Sequence, residues 1–246
     1  MTTQVGDAAV AACRSHHEDT DEPDEFLAAL LASTRAIAGS ERVADALRRI
    51  AEGAVAVVPG VHDVGVAVRL AGELSCAAHT SETAAAVDRA QIGMAEGPCL
   101  DAIAGADTVV LPDAATETRW PRFVPEAVRH GVRASLSVRL TGARPAGVVN
   151  LHVTQHALDD RAARSEAQRS ARMFVAYASL ALAETDRVEN LHRALLRRDL
   201  IGQAKGILMH RDGLTADEAF DRLRIASQTT NTKLYDVAAW LVAHCS

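Results

Sequence analysis

The spacing of apolar residues along the chain changes period several times, and each change marks an element. From Glu25 to Ala38, the residues Phe26, Leu27, Leu30, Leu31 and Ile37 fall on one side of a helix, which Gly39 ends. Ser40 caps a second helix with Val43, Leu47, Ile50, Ala54 and Val58 inward, closed by Pro59 and Gly60. Val64, Val66, Val68 and Leu70 then alternate with small or polar residues, the period of a strand, and Leu74 to Ala78 return as its hairpin partner. Ser81 to Ala90 reads as a helix. The stretch Gln91 to Leu100 leads into a short helix and a strand at Thr108 to Leu111. Another helix follows from Trp120 to Arg129, with Gly131 as its cap. Ser135 to Leu140 and Ala146 to Val153 make a second hairpin around Gly142 to Pro145. From Asp159 the pattern is helical through about His210, with an interruption near Glu184 to Glu189. Strands and helices in this order predict an α+β fold, an antiparallel sheet flanked by helices.

The tail is all-helical. Leu191, Leu195, Leu200, Ile201, Ala204 and Leu208 give its first segment one broad apolar stripe, and Asp212-Gly213 stops it. Thr215 and Glu218 form a capping box for a second helix that buries Ala219, Phe220, Leu223 and Ala226. Ser227 to Asn231 is a polar break, and Asn231 or Thr232 caps a third helix carrying Leu234, Val237, Ala238 and Leu241. So small a bundle calls for support from the preceding helix or from a second chain. Within the long helix Phe174, Ala181, Val188 and Leu195 lie seven apart, with Tyr177 and Leu191 in the companion seam and Glu184 as a defect. That is a short heptad seam for pairing two helices; the alternative is that Phe174 and Tyr177 cover the preceding sheet while only the later part pairs.

Composition narrows the class. With 246 residues the chain suits one or two domains. No apolar run is long enough to span a membrane, and the start lacks the pattern of a secretory signal. The four cysteines, Cys13, Cys76, Cys99 and Cys245, are widely spaced and fit neither a zinc site nor a disulfide framework, so a cytoplasmic protein without metal is expected. Met1 to Asp24 is polar and acidic and is expected to be a disordered leader. The net charge is −6, but it is unevenly placed. From Arg187 onward nine Lys and Arg face seven Asp and Glu, whereas the rest carries seventeen against twenty-five. A slightly basic tail on an acidic protein is a weak nucleic-acid footprint. Arg198 and Lys205, seven apart, share a helix face, and Arg197 sits one turn after Arg193 on a neighbouring one.

The tail resembles the ANTAR domain. The residues that carry this are Ala194-Leu195, Arg198, Ile201, the run Ala204-Lys205-Gly206-Ile207-Leu208-Met209, Ala219-Phe220, Leu223, Ser227, Asn231, Lys233-Leu234, Asp236 and Ala238, in the family's order and spacing. The resemblance implies a homodimer that binds paired hairpin loops in leader transcripts, so that the competing terminator does not form. On that reading the RNA-binding candidates are Arg193, Arg197, Arg198, Gln203, Lys205, Arg211, Asn231 and Lys233. Gly206, which costs about 1 kcal/mol relative to Ala in a helix, is then explained by close approach of the third helix or of RNA.

The preceding α+β region resembles the GAF domain, a small-molecule and signal sensor. The matching phrases are Gly93 to Ala102 (GMAEGPCLDA), Asp113, Arg119-Trp120-Pro121, Gly131 to Ser135 and Gly147 to Leu151. Together the two resemble the GAF–ANTAR regulators of actinobacteria. The implied layout is a leader over 1–24, a GAF-like sensor over 25–185, a coupling helix over 159–196 that overlaps both neighbours, and an ANTAR RNA-binding domain over 187–246. The chain lacks the Asn-Lys-Phe-Asp phrase of cyclic-nucleotide GAF domains. No cofactor is expected, although a small-molecule effector of unknown identity fits the class. His79, His130, His152 and His156 are the candidate haem ligands, against the ordinary reading of satisfied or surface histidines. Cys99, at the start of a short helix, is a candidate redox sensor if the helix terminus lowers its pKa, and Cys76 is a second; the plainer reading is a buried thiol. No catalytic arrangement stands out, so the chain is expected not to be an enzyme. The alternatives are a DNA-binding or protein-interaction regulator on the same bundle, and a thiol-dependent GAF reductase.

Overall fold

The computed structural model describes residues 21–70, 72–142, 145–158 and 160–244, with side chains from residue 25 onward. The chain divides into two units, one ending at Asp186 and the other beginning at Arg187. In the first, α1 (Asp21–Ala38) and α2 (Val43–Val57) precede β1 (Val61–Leu70) and β2 (Glu73–His79). Then come α3 (Glu82–Met94), α4 (Pro98–Ala104), β3 (Thr108–Leu111), α5 (Phe123–Arg129), β4 (Ala134–Leu140) and β5 (Gly147–Val153). A 3-10 turn (Gln155–Leu158) leads into α6 (Arg161–Asp212). The five strands form one antiparallel sheet in the order β2-β1-β5-β4-β3. The α+β class read from the pattern is the one observed.

Period two decides which side chains face which layer. Val64, Val66 and Val68 join Leu136, Val138, Val149, Leu151 and Val153 in a core with α1, α2 and the first part of α6. The other side of the sheet carries smaller residues, such as Ala67 and Val148, packed with Val87, Cys99, Phe123 and Trp120 from α3 to α5 and the loop before α5. Gly65 belongs to this second face. A Cβ there would stand 2.1 Å from Asp88 Oδ2, so the strand is hollowed to admit a carboxyl. Gly97 has a similar role, with φ +136 and Gln91 Oε1 only 2.6 Å from where its Cβ would be.

Several boundaries differ from the sequence reading. The expected leader falls mostly on residues 1–20, outside those described, but its end does not stay unstructured. Helix α1 begins at Asp21, where an acidic start with a proline suits a helix N-terminus. Ser40 is not the cap of α2; that position is Arg42, and the Ser40 hydroxyl donates back to Ala36 O at 3.4 Å. Helix α3 extends beyond Ala90 to Met94. No interruption appears near Glu184 to Glu189, in keeping with a stretch from Arg161 to Ile201 that contains neither Gly nor Pro.

The second unit contains the last part of α6, α7 (Ala216–Thr230) and α8 (Leu234–His244). Ala204 and Leu208 meet Ala219, Leu223, Ala238 and Leu241 in a small core, with Ile201, Ile207, Leu234 and Val237 at its margin. Helix α7 runs through the expected break, and Asn231 closes it in the left-handed conformation with φ 50. The Thr215–Glu218 capping box is formed, the Thr215 N–H donating to Glu218 Oε2 at 2.8 Å and the Glu218 N–H to Thr215 Oγ1 at 3.4 Å. Thr215→Ala removes the hydroxyl acceptor and should lower the unfolding midpoint of this unit by about 5 °C in a thermal melt. An unchanged midpoint would show that the cap contributes nothing.

Candidate nucleic-acid interface and buried polar interior

At 3.6 residues per turn, the residues of α6 in the second unit fall on distinct faces. Ile201, Ala204 and Leu208 turn to the bundle core. On the opposite side stand Val188, Leu191 and Leu195, which are 50, 57 and 59% exposed. Arg198, Gly202, Gly206 and Met209 continue that side. The two leucines are therefore not part of the core stripe expected of them. Gly206 is not explained by a neighbouring helix either, since a Cβ there would meet nothing within 4 Å.

The eight candidate RNA contacts do not form one surface. Arg198 and Lys205 lie on the same side of α6, as their spacing predicts. Arg198 is exposed and makes no ion pair among the described residues; Lys205 is half-buried, its ammonium 5.8 Å from the centre of the Phe220 ring. Phe220, expected in the core, is 39% exposed beneath that lysine. Arg193 and Arg197 occupy the neighbouring, core-ward side. Arg193 pairs with Glu189 at 2.6 Å, and Arg197 lies 5.8 Å above the Tyr235 ring. Arg211 is engaged by Asp212 at 2.8 Å. Gln203 is exposed on a third side. Asn231 and Lys233 belong to the α7–α8 turn, where the Lys233 carbonyl accepts from the Asp236 and Val237 N–H groups. Ion-paired arginines are already compensated, which leaves Arg198 and Lys233, both exposed and without an ion pair among the described residues, and Lys205, which shares the side of Arg198, as the cations available to a phosphate.

The candidate sensor thiols sit on the small-residue face of the sheet in the first unit. Cys99 is fully buried and its N–H donates to Gln91 Oε1 at 2.9 Å. Burial, with the nearby Asp88 carboxyl, pushes its thiol up to about 12. That is opposite in sign to the lowering expected from the helix terminus, because desolvation of the thiolate outweighs one short helix's dipole. Cys76 is likewise pushed up to about 12 by burial and by Asp88, which lies 3.8 Å from its sulfur. Asp88 is wholly buried. Asn150 Nδ2 donates to its Oδ1 at 2.7 Å, while Ser137 Oγ donates to Asn150 Oδ1 at 2.7 Å. Burial raises this carboxyl to about 7, against the lowering effect of the Asn150 and Cys76 hydrogen bonds. His152 is also buried, with neither ring nitrogen hydrogen-bonded, and burial lowers it to about 4. Of the other candidate haem ligands, His79 and His130 lie beside Glu82 and Glu126. Among the described residues no group of three side chains could hold a metal ion.

The Gly-Pro-Cys segment is built as a latch. Trp120 Nε1 donates to Asp101 Oδ2 at 3.1 Å, and Glu96 Oε1 accepts from the Arg122 and Phe123 N–H groups at the start of α5.

Comparison with known proteins bears on both units. Residues 189–242 match the ANTAR domain. The phytochrome photosensory core module of Stigmatella aurantiaca is similar over 86% of this chain and 46% of its own, with a TM-score of 0.54 and 12% identity. The bacteriophytochrome RpBphP3 of the photosynthetic bacterium R. palustris is similar over 81% and 47%, with a TM-score of 0.51 and 12% identity. The chain thus spans about half the length of these two phytochromes, and the likeness is one of fold. The nlh2 GAF domain of A. Aeolicus, in an inactive state, covers 64% of this chain and 94% of its own, with a TM-score of 0.48 and 11% identity. No curated protein matches. No described helix is long and apolar enough to cross a membrane.

ANTAR domains as a class bind RNA in transcription antitermination. Within the ANTAR segment of this chain, the sequence reading missed the aromatics. Tyr235 lies under Arg197, and Trp240 is 60% exposed and stacked on His244 at 4.8 Å. Aromatic content is only 3%, so each exposed ring was a signal that periodicity had discarded.

Proposed function

We propose that this chain is a cytoplasmic, non-catalytic regulator that binds paired hairpin loops in leader transcripts and so prevents terminator formation, with its first unit as the sensor. The ANTAR match over residues 189–242 carries the reading. Arg198 and Lys205, on one side of α6, supply a cationic face whose arginine has no carboxylate partner among the described residues. Sequence-specific RNA recognition takes loop bases that can be stacked or hydrogen-bonded, and Gln203, Asn231 and the exposed rings are suitable for this. The protein acts as a homodimer, its helices paired through Val188, Leu191 and Leu195; Tyr177, also exposed, extends the pairing positions. A small-molecule effector acts by altering that pairing.

The test is binding of the full chain to a tandem-hairpin RNA over a salt series, with duplex DNA as competitor and the mass of the complex measured. Arg198→Gln with Lys205→Gln should weaken binding and reduce the salt slope by about one to two, since each phosphate contact to a single strand contributes about 0.7. Unchanged affinity and slope would reject this face. Preference for duplex DNA would favour a DNA-binding regulator, and a single protein chain per RNA would remove the homodimer.

A further inference from the structure

At one end of the sheet in the first unit, Arg69 of β1 and Arg139 of β4 line a cleft of about 300 Å³ with Ile103, Leu140, Thr141 and Gly142. Both arginines extend from the small-residue face, Arg69 two positions after Ala67 and Arg139 two after Ser137. Strand β5 lies between their strands, so the two backbones are about 10 Å apart, a span two arginine side chains can close over one anion. Arg69 is exposed, and it makes no ion pair among the described residues. Arg139 gives one edge of its guanidinium to Asp107, but its Nε is buried without a hydrogen-bond partner. A buried charged N–H left unpaired is costly, and a second oxyanion would satisfy it. Ile103 provides an apolar wall, while the backbone N–H of Thr141 is already given to Ser179 Oγ at 3.2 Å.

We infer that this cleft binds the oxyanion of a small organic anion, a carboxylate or a phosphate ester, held between Arg69 and Arg139 with its hydrocarbon part on Ile103. Its regulatory meaning rests on the first unit being a sensor. The binding itself does not depend on RNA recognition.

The experiment is a calorimetric titration of the full chain at low ionic strength with inorganic phosphate and, separately, acetate. One saturable site is expected for at least one of them, and the tighter of the two assigns the anion class. Arg69→Gln, an exposed change that leaves the core intact, should weaken it at least about tenfold, the scale of one charge-assisted hydrogen bond. Arg139→Lys keeps the charge but loses the fork and should weaken it similarly, whereas Arg35→Gln on α1 should leave it unchanged. Absence of saturable binding of either anion up to about 20 mM overturns the inference. Equal affinity in wild type, Arg69→Gln and Arg139→Lys does so too. Anion binding by a protein that fails to bind hairpin RNA would keep the cleft and reject the antitermination reading.

Discussion

Phe174→Ala is expected to destabilise the first unit by about 3–5 kcal/mol, the range for deleting a buried phenyl ring. Phe174 is 1% exposed, and its Cε2 would lie only 3.3 Å from a Cβ at Gly53, so α2 and α6 are fitted around the ring. Tyr177→Ala, three residues on, should cost under about 1 kcal/mol, because Tyr177 is 42% exposed. Urea denaturation of the two variants, followed by Trp120 fluorescence, gives both values. The contrast tests a correction. The heptad seam read from the sequence placed Phe174 and Ala181 with Tyr177, Val188, Leu191 and Leu195. In the structure Phe174 and Ala181 belong to the core, whereas the other four are exposed. Equal costs for the two truncations would restore the original seam.

Asp88→Asn should change the pH dependence of stability more than its level. A carboxyl raised from 3.8 to about 7 keeps its proton in the folded state while the unfolded chain has lost it. The stability this contributes is complete below about pH 4 and is lost as pH rises through about 7. His152 works in the opposite direction. Lowered from 6.5 to about 4, it contributes stability that is complete above about pH 6.5 and lost as pH falls through about 4. Between these limits the two slopes oppose, so the wild-type profile should be nearly flat. Asparagine keeps an acceptor for Asn150 Nδ2 and removes the carboxyl titration. Stability of Asp88→Asn should therefore rise with pH, diverging from wild type by roughly 2–4 kcal/mol between pH 4 and pH 8. Parallel profiles would show that Asp88 does not hold its proton.

Much of the fold was legible because its signals are local. The alternation of Val64, Val66 and Val68 marked the side of β1 that packs on α1, α2 and α6, and Thr215 with Glu218 marked the start of α7. What periodicity could not supply was the partner of each face. Leu191 and Leu195 have the spacing of core residues, yet both are exposed, on the side of α6 away from the core of the second unit. For the same reason Phe220 was read as buried, although it is 39% exposed, and the exposed Trp240 was not singled out. Charge spacing likewise found Arg193 and Arg197, and the ANTAR resemblance added Arg211, but the partners that occupy them, Glu189, the Tyr235 ring and Asp212, are set by the fold. The thiol of Cys99 shows how one local argument can lose: a helix start lowers a pKa, but complete burial raises it further.

The hollow at Gly65 ties two distant positions into a single choice. A methyl group at 65 cannot coexist with the Asp88 carboxyl, which would lie 2.1 Å away. The two substitutions must therefore occur in order. Asp88 can first be replaced by a smaller residue, leaving a void that position 65 may later fill. The reverse order passes through a clash in a closed interior. Once residue 65 is enlarged, a buried acid at residue 88 no longer fits beside it without a shift of the carboxyl or the strand.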